Sequence, residues 1–226
     1  HTGIMNNVLK KFNNFSKEYF ENKYENERRY DKLFKNADTY LEKILQKINE
    51  LEFDKNSIIV VLSDHGISLG EKFGERAYGA FCYDYTIKTF CYIKSPEIKP
   101  KTIHQQVRHI DIMPTILDML GISLSKNYEN LDGISLMPLI KGGILDENIA
   151  YSETGNPLDE KAPPKEPNIH SIRTTNWKLI YNSHNNSKEL YDLKTDPNEN
   201  NNLIGGKLEI EEILWKHLLK IKNKNT

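Results

Sequence analysis

An unbroken apolar run from Ile58 to Leu62 most constrains the fold of this chain, because four of its five residues are β-branched. Such a run is typical of a strand that is buried on both faces of a parallel sheet. Asp64 and His65 follow it, and Gly66 ends the strand. Ligands bind at the carboxyl ends of strands in open α/β sheets, so this carboxylate and imidazole can converge on one cation. The alternative is a polar turn in which Asp64 caps the next segment.

Helical segments are expected before that strand. From Tyr30 to Leu51 the apolar residues recur three or four positions apart, which predicts an amphipathic helix. We expect it to pack on the sheet ahead of a strand over Ser57–Leu62. A coiled-coil partner is the alternative, although the stripe is wider than a strict heptad seam. The polar stretch from Asn13 to Arg29 predicts an exposed helix.

The middle of the chain continues the α/β pattern. Thr89–Lys94 reads as a second buried strand, and Ile149–Glu153 as a further one. Between them, Asp111 is expected to be the N-cap of a helix that stops at Gly121. The proline-rich stretch from Gly155 to Asn168 predicts a surface loop or linker.

After the proline-rich stretch the pattern changes to short strands with turns. A hairpin over Ser171–Thr174 and Trp177–Tyr181 is expected, with its turn near Thr175 and Asn176. Glu189–Leu193 predicts a third strand, and Leu208–Ile221 a closing amphipathic helix.

Several short motifs occur in a characteristic order along the chain. They are Ser63–Glu71, Tyr83–Tyr85, His109–Ile122, Asp132–Leu136, Tyr151–Glu153, Arg173–Ile180 and Glu189–Glu199. At these spacings the chain, from about Ala37 to about Leu203, resembles the sulfatase family of the alkaline-phosphatase-like superfamily. The order of the motifs carries the resemblance, because each motif alone is weak.

The resemblance implies an α/β fold in two parts. Residues 1–154 would be the later part of the core sheet of an alkaline-phosphatase-like α/β/α sandwich. Residues 155–169 would be a proline-rich loop. Residues 170–226 would form a small antiparallel β-sheet with a helix, as the C-terminal subdomain of sulfatases does.

Features of the earlier part of such an enzyme are not found in this sequence. Sulfatases carry an early aspartate pair and a nucleophile in a Cys/Ser-x-Pro/Ala-x-Arg motif that is converted to formylglycine. Neither Cys82 nor Cys91 lies in that motif. The chain opens on His1 without an initiator Met, so we expect a truncated, C-terminal portion. Formylglycine is then expected in the missing part, and the isolated chain is expected to be inactive.

Asp64 and His65 match the second metal-ligand pair of the family. Many sulfatases have Asp-Asn there and bind calcium, which prefers hard oxygen ligands. The imidazole of His65 instead favours a transition ion such as manganese, zinc or iron. The pair is also similar to the Asp-His pair of phosphonate monoester and phosphodiester hydrolases in the same superfamily.

Two further residues are catalytic candidates by their position relative to the family pattern. His1 resembles a histidine that contacts the sulfate or acts as an acid, and its alternative is a disordered terminus. Where relatives place a sulfate-contacting Lys or His, this chain has Tyr78 and Gly79. Arg76, two residues earlier, and Lys72 are the nearby cations, and Arg76 is the candidate, with a solvated surface charge as its alternative. Glu71 is a candidate hydrogen-bond partner for His65, with a solvated carboxylate as the alternative.

The function implied by the resemblance is hydrolysis of a sulfuric ester, in a small molecule or a glycan, with one divalent metal ion. The alternatives are a phosphonate monoester or phosphodiester hydrolase, a phosphoethanolamine transferase acting on phosphate esters, and a non-catalytic binding protein that kept the fold. Lys plus Arg number 31 and Asp plus Glu 32, so no nucleic-acid partner is expected. No apolar run approaches the roughly 20 residues of a spanning helix, so no membrane segment is expected.

Overall fold

The computed structural model describes residues 17–75, 77–123, 131–155 and 166–223. Apart from the gaps, the chain divides into two compact units. The first runs as far as Ile93 and includes Glu153–Ile169; the second contains Lys94–Ser152 and the chain from His170 onward. The predicted boundaries at 154/155 and 169/170 remain predictions.

The first unit begins with helices and continues into a short sheet. Its elements are α1 (Lys17–Glu21), α2 (Lys23–Glu50), a 3-10 turn (Phe53–Lys55), β1 (Ile59–Leu62), α3 (Asp84–Ile87) and β2 (Cys91–Lys94). Strands β1 and β2 are hydrogen-bonded neighbours. Both strands are shorter at their amino ends than the sequence predicted, and both are half-buried or exposed rather than buried on two faces.

The amino-terminal helices anchor the loop that follows β1, which the prediction of an exposed helix over Asn13–Arg29 missed. Tyr19 and Asn26 are buried. The Tyr19 hydroxyl donates to the carbonyl of Ser68 at 2.5 Å. The Asn26 amide donates to the carbonyls of Tyr19 and Leu69 at 2.9 and 2.8 Å. A polar helix can thus bury a few polar groups when each finds a hydrogen-bond partner.

The apolar stripe of α2 is largely uncovered, contrary to the expectation that it packs on the sheet. A helix is present, but it begins at Lys23, seven residues before the predicted Tyr30. Phe34, Tyr40 and Ile44 on its stripe are each more than half exposed. Contiguous apolar surface of this kind usually marks a contact face. No helix in the described ranges is long and apolar enough to cross a membrane.

The second unit contains the helices α4 (Ile112–Met119), α5 (Met137–Ile140) and α6 (Glu209–Lys222). Asp111 lies at the N-cap of α4, but its carboxylate makes no cap hydrogen bond to that helix. The carboxylate instead accepts from the guanidinium of Arg108 at 2.7 and 3.1 Å, and from the backbone N–H of Arg108 and Ile134 at 2.9 and 3.0 Å. The buried Asp111 carboxylate therefore links the segment at Arg108 to the segment at Ile134 instead of capping α4.

A four-stranded sheet in the order β3-β4-β5-β6 supports this unit, with β3 (Ala150–Thr154), β4 (Ile169–Arg173), β5 (Trp177–Asn182) and β6 (Ser187–Asp192). Strands β5 and β6 are antiparallel and pair Leu179 with Leu190. These two leucines join Ile172 and two leucines of α6 in a fully buried cluster. The alternation of apolar residues in the strands thus meets the apolar face of α6.

A buried ion pair lies in the same unit. Lys178 of β5 and Glu199 are 0% and 1% exposed, and the Lys178 ammonium lies 2.7 Å from the Glu199 carboxylate. Glu199 has a φ of +54°, so the backbone adopts a left-handed turn to present its side chain. The pair connects the sheet to the loop after β6.

Breaking this pair should be strongly destabilising. Lys178→Met should lower the free energy of unfolding by about 3 to 5 kcal/mol, because it leaves the Glu199 charge buried and uncompensated. Lys178→Met combined with Glu199→Met should recover most of that loss. Lys47→Met, which removes an exposed ion pair with Glu50, is the control and should change stability by less than ~1 kcal/mol. Urea denaturation followed by tryptophan fluorescence measures all three; a loss below ~1 kcal/mol for Lys178→Met would contradict the assignment.

The buried phenol of Tyr19 should make stability depend on alkaline pH. Burial, with a smaller effect of the Glu71 charge, raises the pKa of Tyr19 from 10.0 to about 12. The folded state therefore holds this proton more tightly than the unfolded state. The resulting contribution to the free energy of unfolding is complete below pH 10 and is lost as pH rises through about 12. Tyr19→Phe should lose stability less steeply across that window when urea denaturation is repeated at each pH. Equal slopes for the two proteins would show that Tyr19 does not ionise with unfolding.

Candidate functional site

Asp64 and His65 lie directly after β1, where the sequence places them. The strand ends at Leu62, and Ser63 fixes the exit of the chain by two hydrogen bonds to Phe90. The Ser63 N–H donates to the Phe90 carbonyl, and the Phe90 N–H donates to the Ser63 hydroxyl, each at 3.2 Å. The direction of the chain at the start of the site is therefore set by the neighbouring segment.

The two side chains lie on the same side and close together. The His65 Nε2 is 3.7 Å from the Asp64 Oδ2. The other carboxylate oxygen of Asp64 accepts the backbone N–H of His65 at 2.9 Å. The His65 Nδ1 lies 2.6 Å from the Gly66 carbonyl, which can only accept, so Nδ1 carries the proton. The lone pair of Nε2 is then available on the side of the Asp64 carboxylate.

Both donor groups are open to solvent. The side chain of Asp64 is 85% exposed and that of His65 43% exposed. A cation can therefore reach the Asp64 carboxylate from solvent without crossing packed atoms. The Tyr78 ring makes a T-shaped contact with the imidazole, with the ring centroids 5.4 Å apart. The site is thus a solvent-accessible pair of side chains whose imidazole is oriented by Gly66 and Tyr78.

This pair suits part of a metal site. An anionic oxygen and a neutral imidazole nitrogen whose other nitrogen is hydrogen-bonded to a carbonyl are the ligand types of many divalent ions. Ligand atoms on one ion at bond lengths near 2 Å lie about 3 to 3.5 Å apart, close to the separation seen here. Within the described ranges no group of three or more His, Cys, Asp or Glu residues gathers for a metal. In the described ranges, an ion at this pair would therefore have two protein ligands, fewer than a complete coordination shell needs.

The other predicted site residues have different outcomes. His1 and Arg76 lie outside the described residues. Glu71 does not serve the imidazole as proposed, since its carboxylate accepts from the Ser68 hydroxyl at 3.1 Å and the Leu69 N–H at 2.7 Å. The Lys72 ammonium lies 4.6 Å from the centre of the Tyr83 ring.

Three residues around His65 were not identified from the sequence. Gly66 packs so closely on α3 that an added Cβ would lie 2.2 Å from the Tyr85 carbonyl oxygen. Tyr78 contacts the imidazole, and Glu75 is a buried carboxylate in the same loop. The glycine directly after an Asp-His pair was a usable signal, whereas Glu75 looks like any loop glutamate.

Comparison with known proteins identifies the family. A model described as "Sulfatase" matches residues 3–122, and one described as "N-sulphoglucosamine sulphohydrolase, C-terminal" matches residues 74–224. Each covers more than half of the chain.

Individual relatives agree with those models. The chain is 29% identical over 199 residues to N-acetylglucosamine-6-sulfatase of Bos taurus, which covers 74% of this chain and 34% of that protein. A solved structure described as a complex with its substrate D-glucosamine-2-N,6-O-disulfate is 26% identical, with a TM-score of 0.65 over 82% of this chain and 38% of that one. The phosphonate monoester hydrolase of Silicibacter pomeroyi, at 23% identity and a TM-score of 0.66 over 84% of this chain and 39% of that one, shares the fold.

The chain spans about a third of the length of the curated relatives that it matches. The matched part includes the strand end with Asp64 and His65 and the small antiparallel sheet with its helix. The alkaline-phosphatase-like fold that the sequence predicted is confirmed by these structural neighbours. The chain belongs to the sulfatase family.

Proposed function

We propose that this chain is the later part of a metal-dependent sulfuric ester hydrolase, in which Asp64 and His65 are two of the metal ligands. The observation that carries the proposal is the 3.7 Å separation of Asp64 Oδ2 and His65 Nε2 at the carboxyl end of β1. The hydrogen bond from Nδ1 to the Gly66 carbonyl supports it, because it leaves the ligand lone pair on the correct nitrogen.

The chemistry of the pair favours a particular kind of ion. A divalent cation held there would supply Lewis-acid polarisation of the ester and stabilise charge that develops on a non-bridging oxygen. The imidazole of His65 favours manganese or zinc over calcium, which prefers oxygen ligands. The role of Asp64 is to provide the anionic oxygen, and that of His65 is to provide a nitrogen in a fixed orientation.

The nucleophile is proposed to come from the earlier part of the enzyme, as formylglycine. Cys82 is buried with a φ of +60°, and Tyr83 and Asp84 follow it rather than the modification motif. Cys91 is exposed but is followed by Tyr92 and Ile93. Neither thiol is therefore suited to become the attacking group.

The exposed apolar surface of the first unit supports the proposal that the earlier part of the core completes the enzyme. Phe34, Tyr40 and Ile44 of α2 and Tyr92 of β2 are exposed in this chain. The match covers only 34% of the bovine relative, so a complete core offers further polypeptide to cover these side chains. In the proposal, the earlier part of the core packs here and brings the remaining metal ligands.

The substrate is proposed to be a sulfate ester on an amino sugar or a glycan that contains one. The bovine relative is named for N-acetylglucosamine-6-sulfate chemistry, and the neighbouring structure holds a disulfated glucosamine. His1 and Arg76 remain proposed contacts to the sulfate group. An arginine at that place would bind the tetrahedral anion through two N–H groups.

Metal binding by the chain itself tests the proposed ligands. Mn²⁺ should broaden the imidazole signals of His65 before those of the other six histidines in a ¹H–¹³C NMR titration. We expect a Kd of about 1 mM, equivalent to ~4 kcal/mol, since only two ligands are present. Asp64→Asn and His65→Gln should each remove the selective effect, while His184→Gln, at an exposed turn, should leave it unchanged. Uniform broadening of all histidines would contradict the assignment.

Catalysis tests the division between the two parts of the core. The purified chain should not turn over a chromogenic aryl sulfate with Mn²⁺, Zn²⁺ or Ca²⁺, because neither of its cysteines lies in the modification motif that supplies the nucleophile. A complete enzyme that contains this chain should hydrolyse the sulfate faster than a matched phosphonate monoester, and Asp64→Ala should abolish that activity. Turnover by the chain alone that depends on Asp64, or a preference for the phosphonate, would overturn the proposal.

A further inference from the structure

Glu75 is a buried carboxylate in the loop that follows the Asp64–His65 pair. Only 1% of its surface is exposed. One oxygen accepts the backbone N–H of Ala80, and the other accepts the Tyr85 hydroxyl at 3.3 Å. Burial, with the Glu75 charge as the next cause, raises the pKa of Tyr85, so the phenol stays protonated and donates. Burying a carboxylate costs free energy unless it is hydrogen-bonded. The hydrogen bonds of Glu75 therefore hold this loop in one position.

Tyr85, which donates to Glu75, is connected to the His65 imidazole through Gly66. The Gly66 N–H donates to the Thr86 carbonyl at 2.8 Å, and its α-carbon packs against the Tyr85 carbonyl. The Gly66 carbonyl in turn accepts from His65 Nδ1. A shift of Tyr85 would therefore move the group that sets the orientation of the imidazole.

Ala80, whose N–H donates to Glu75, is close in sequence to Tyr78, and the Tyr78 ring contacts the imidazole. The backbone here is held by the hydrogen bond from the Ser68 N–H to the Ala77 carbonyl at 2.9 Å, and Gly79 packs against the Thr86 side chain. The Tyr78 ring meets the His65 ring edge-on, at an interplanar angle of 79°. Both sets of contacts thus lead to groups that touch the His65 imidazole, the Gly66 carbonyl and the Tyr78 ring.

We propose that Glu75 is a positioning residue for His65, which it fixes by two routes, through Tyr85 and Gly66 and through Ala80 and Tyr78. The effect of Glu75 on catalysis rests on the proposed function, because the orientation of the imidazole affects catalysis only if His65 Nε2 binds the metal. Hydrogen-bond partners that orient a metal-bound histidine affect affinity about 10- to 100-fold, and Glu75 acts one step further away. We expect a loss of about 10-fold in Mn²⁺ affinity for Glu75→Ala.

The experiment measures the orientation of His65 without metal and then its affinity for metal. The ¹H and ¹³C shifts of the His65 ring report its place against the Tyr78 ring current. Glu75→Ala should move them toward the values of Tyr78→Leu. Tyr85→Phe, which removes only one contact, should cause a smaller shift in the same direction, and it keeps the test available if Glu75→Ala does not fold.

Asp111→Asn is the matched control, because Asp111 is equally buried but belongs to the second unit. It should lower stability in urea without moving the His65 signals. Unchanged His65 shifts in folded Glu75→Ala and Tyr85→Phe, or an equal shift in Asp111→Asn, would overturn the proposal. If the metal-free shifts change but no variant of the chain binds Mn²⁺ at His65, the positioning role stands and the metal assignment fails.

Discussion

The loop that presents Asp64 and His65 depends on one close backbone contact, that of Gly66 with α3. No side chain fits at Gly66, since an added Cβ would lie 2.2 Å from the Tyr85 carbonyl oxygen. That closeness lets the Gly66 N–H reach the Thr86 carbonyl while its own carbonyl holds His65 Nδ1. The position of the short helix α3 therefore determines the position of the His65 imidazole through Gly66.

Several polar groups buried in the first unit bind the loop that contains Gly66. Tyr19 and Asn26 bind the loop carbonyls of Ser68 and Leu69 from the amino-terminal helices. The buried Glu75 carboxylate, which lies in the same loop, accepts hydrogen bonds from the Ala80 N–H and the Tyr85 hydroxyl. Apolar packing in this unit is sparse, and much of the stripe on α2 is exposed. Specific hydrogen bonds therefore take a larger share in holding the site than they would in a core of apolar side chains.

Sequence patterns predicted the strands and the closing helix to within two residues because periodicity and turn residues are local signals. By contrast, α2 begins seven residues before its predicted start, and the short helices α3 and α5 were not predicted. The closing helix was expected over Leu208–Ile221 and is found at Glu209–Lys222. The burial of β1 was overestimated, since burial depends on atoms far away in the sequence. The Asp64–His65 pair was predictable from its place after β1. Glu75 was not, because nothing local distinguishes a glutamate that closes a loop from one in water.

Crystallography of the chain with Mn²⁺ would test the central claim most directly, that Asp64 and His65 form a preformed part of a metal centre. The account predicts an anomalous-scattering peak within about 2.0 to 2.4 Å of both Asp64 Oδ2 and His65 Nε2, with Nδ1 still on the Gly66 carbonyl. A peak elsewhere, or a well-ordered His65 whose Nε2 points away from Asp64, would contradict it.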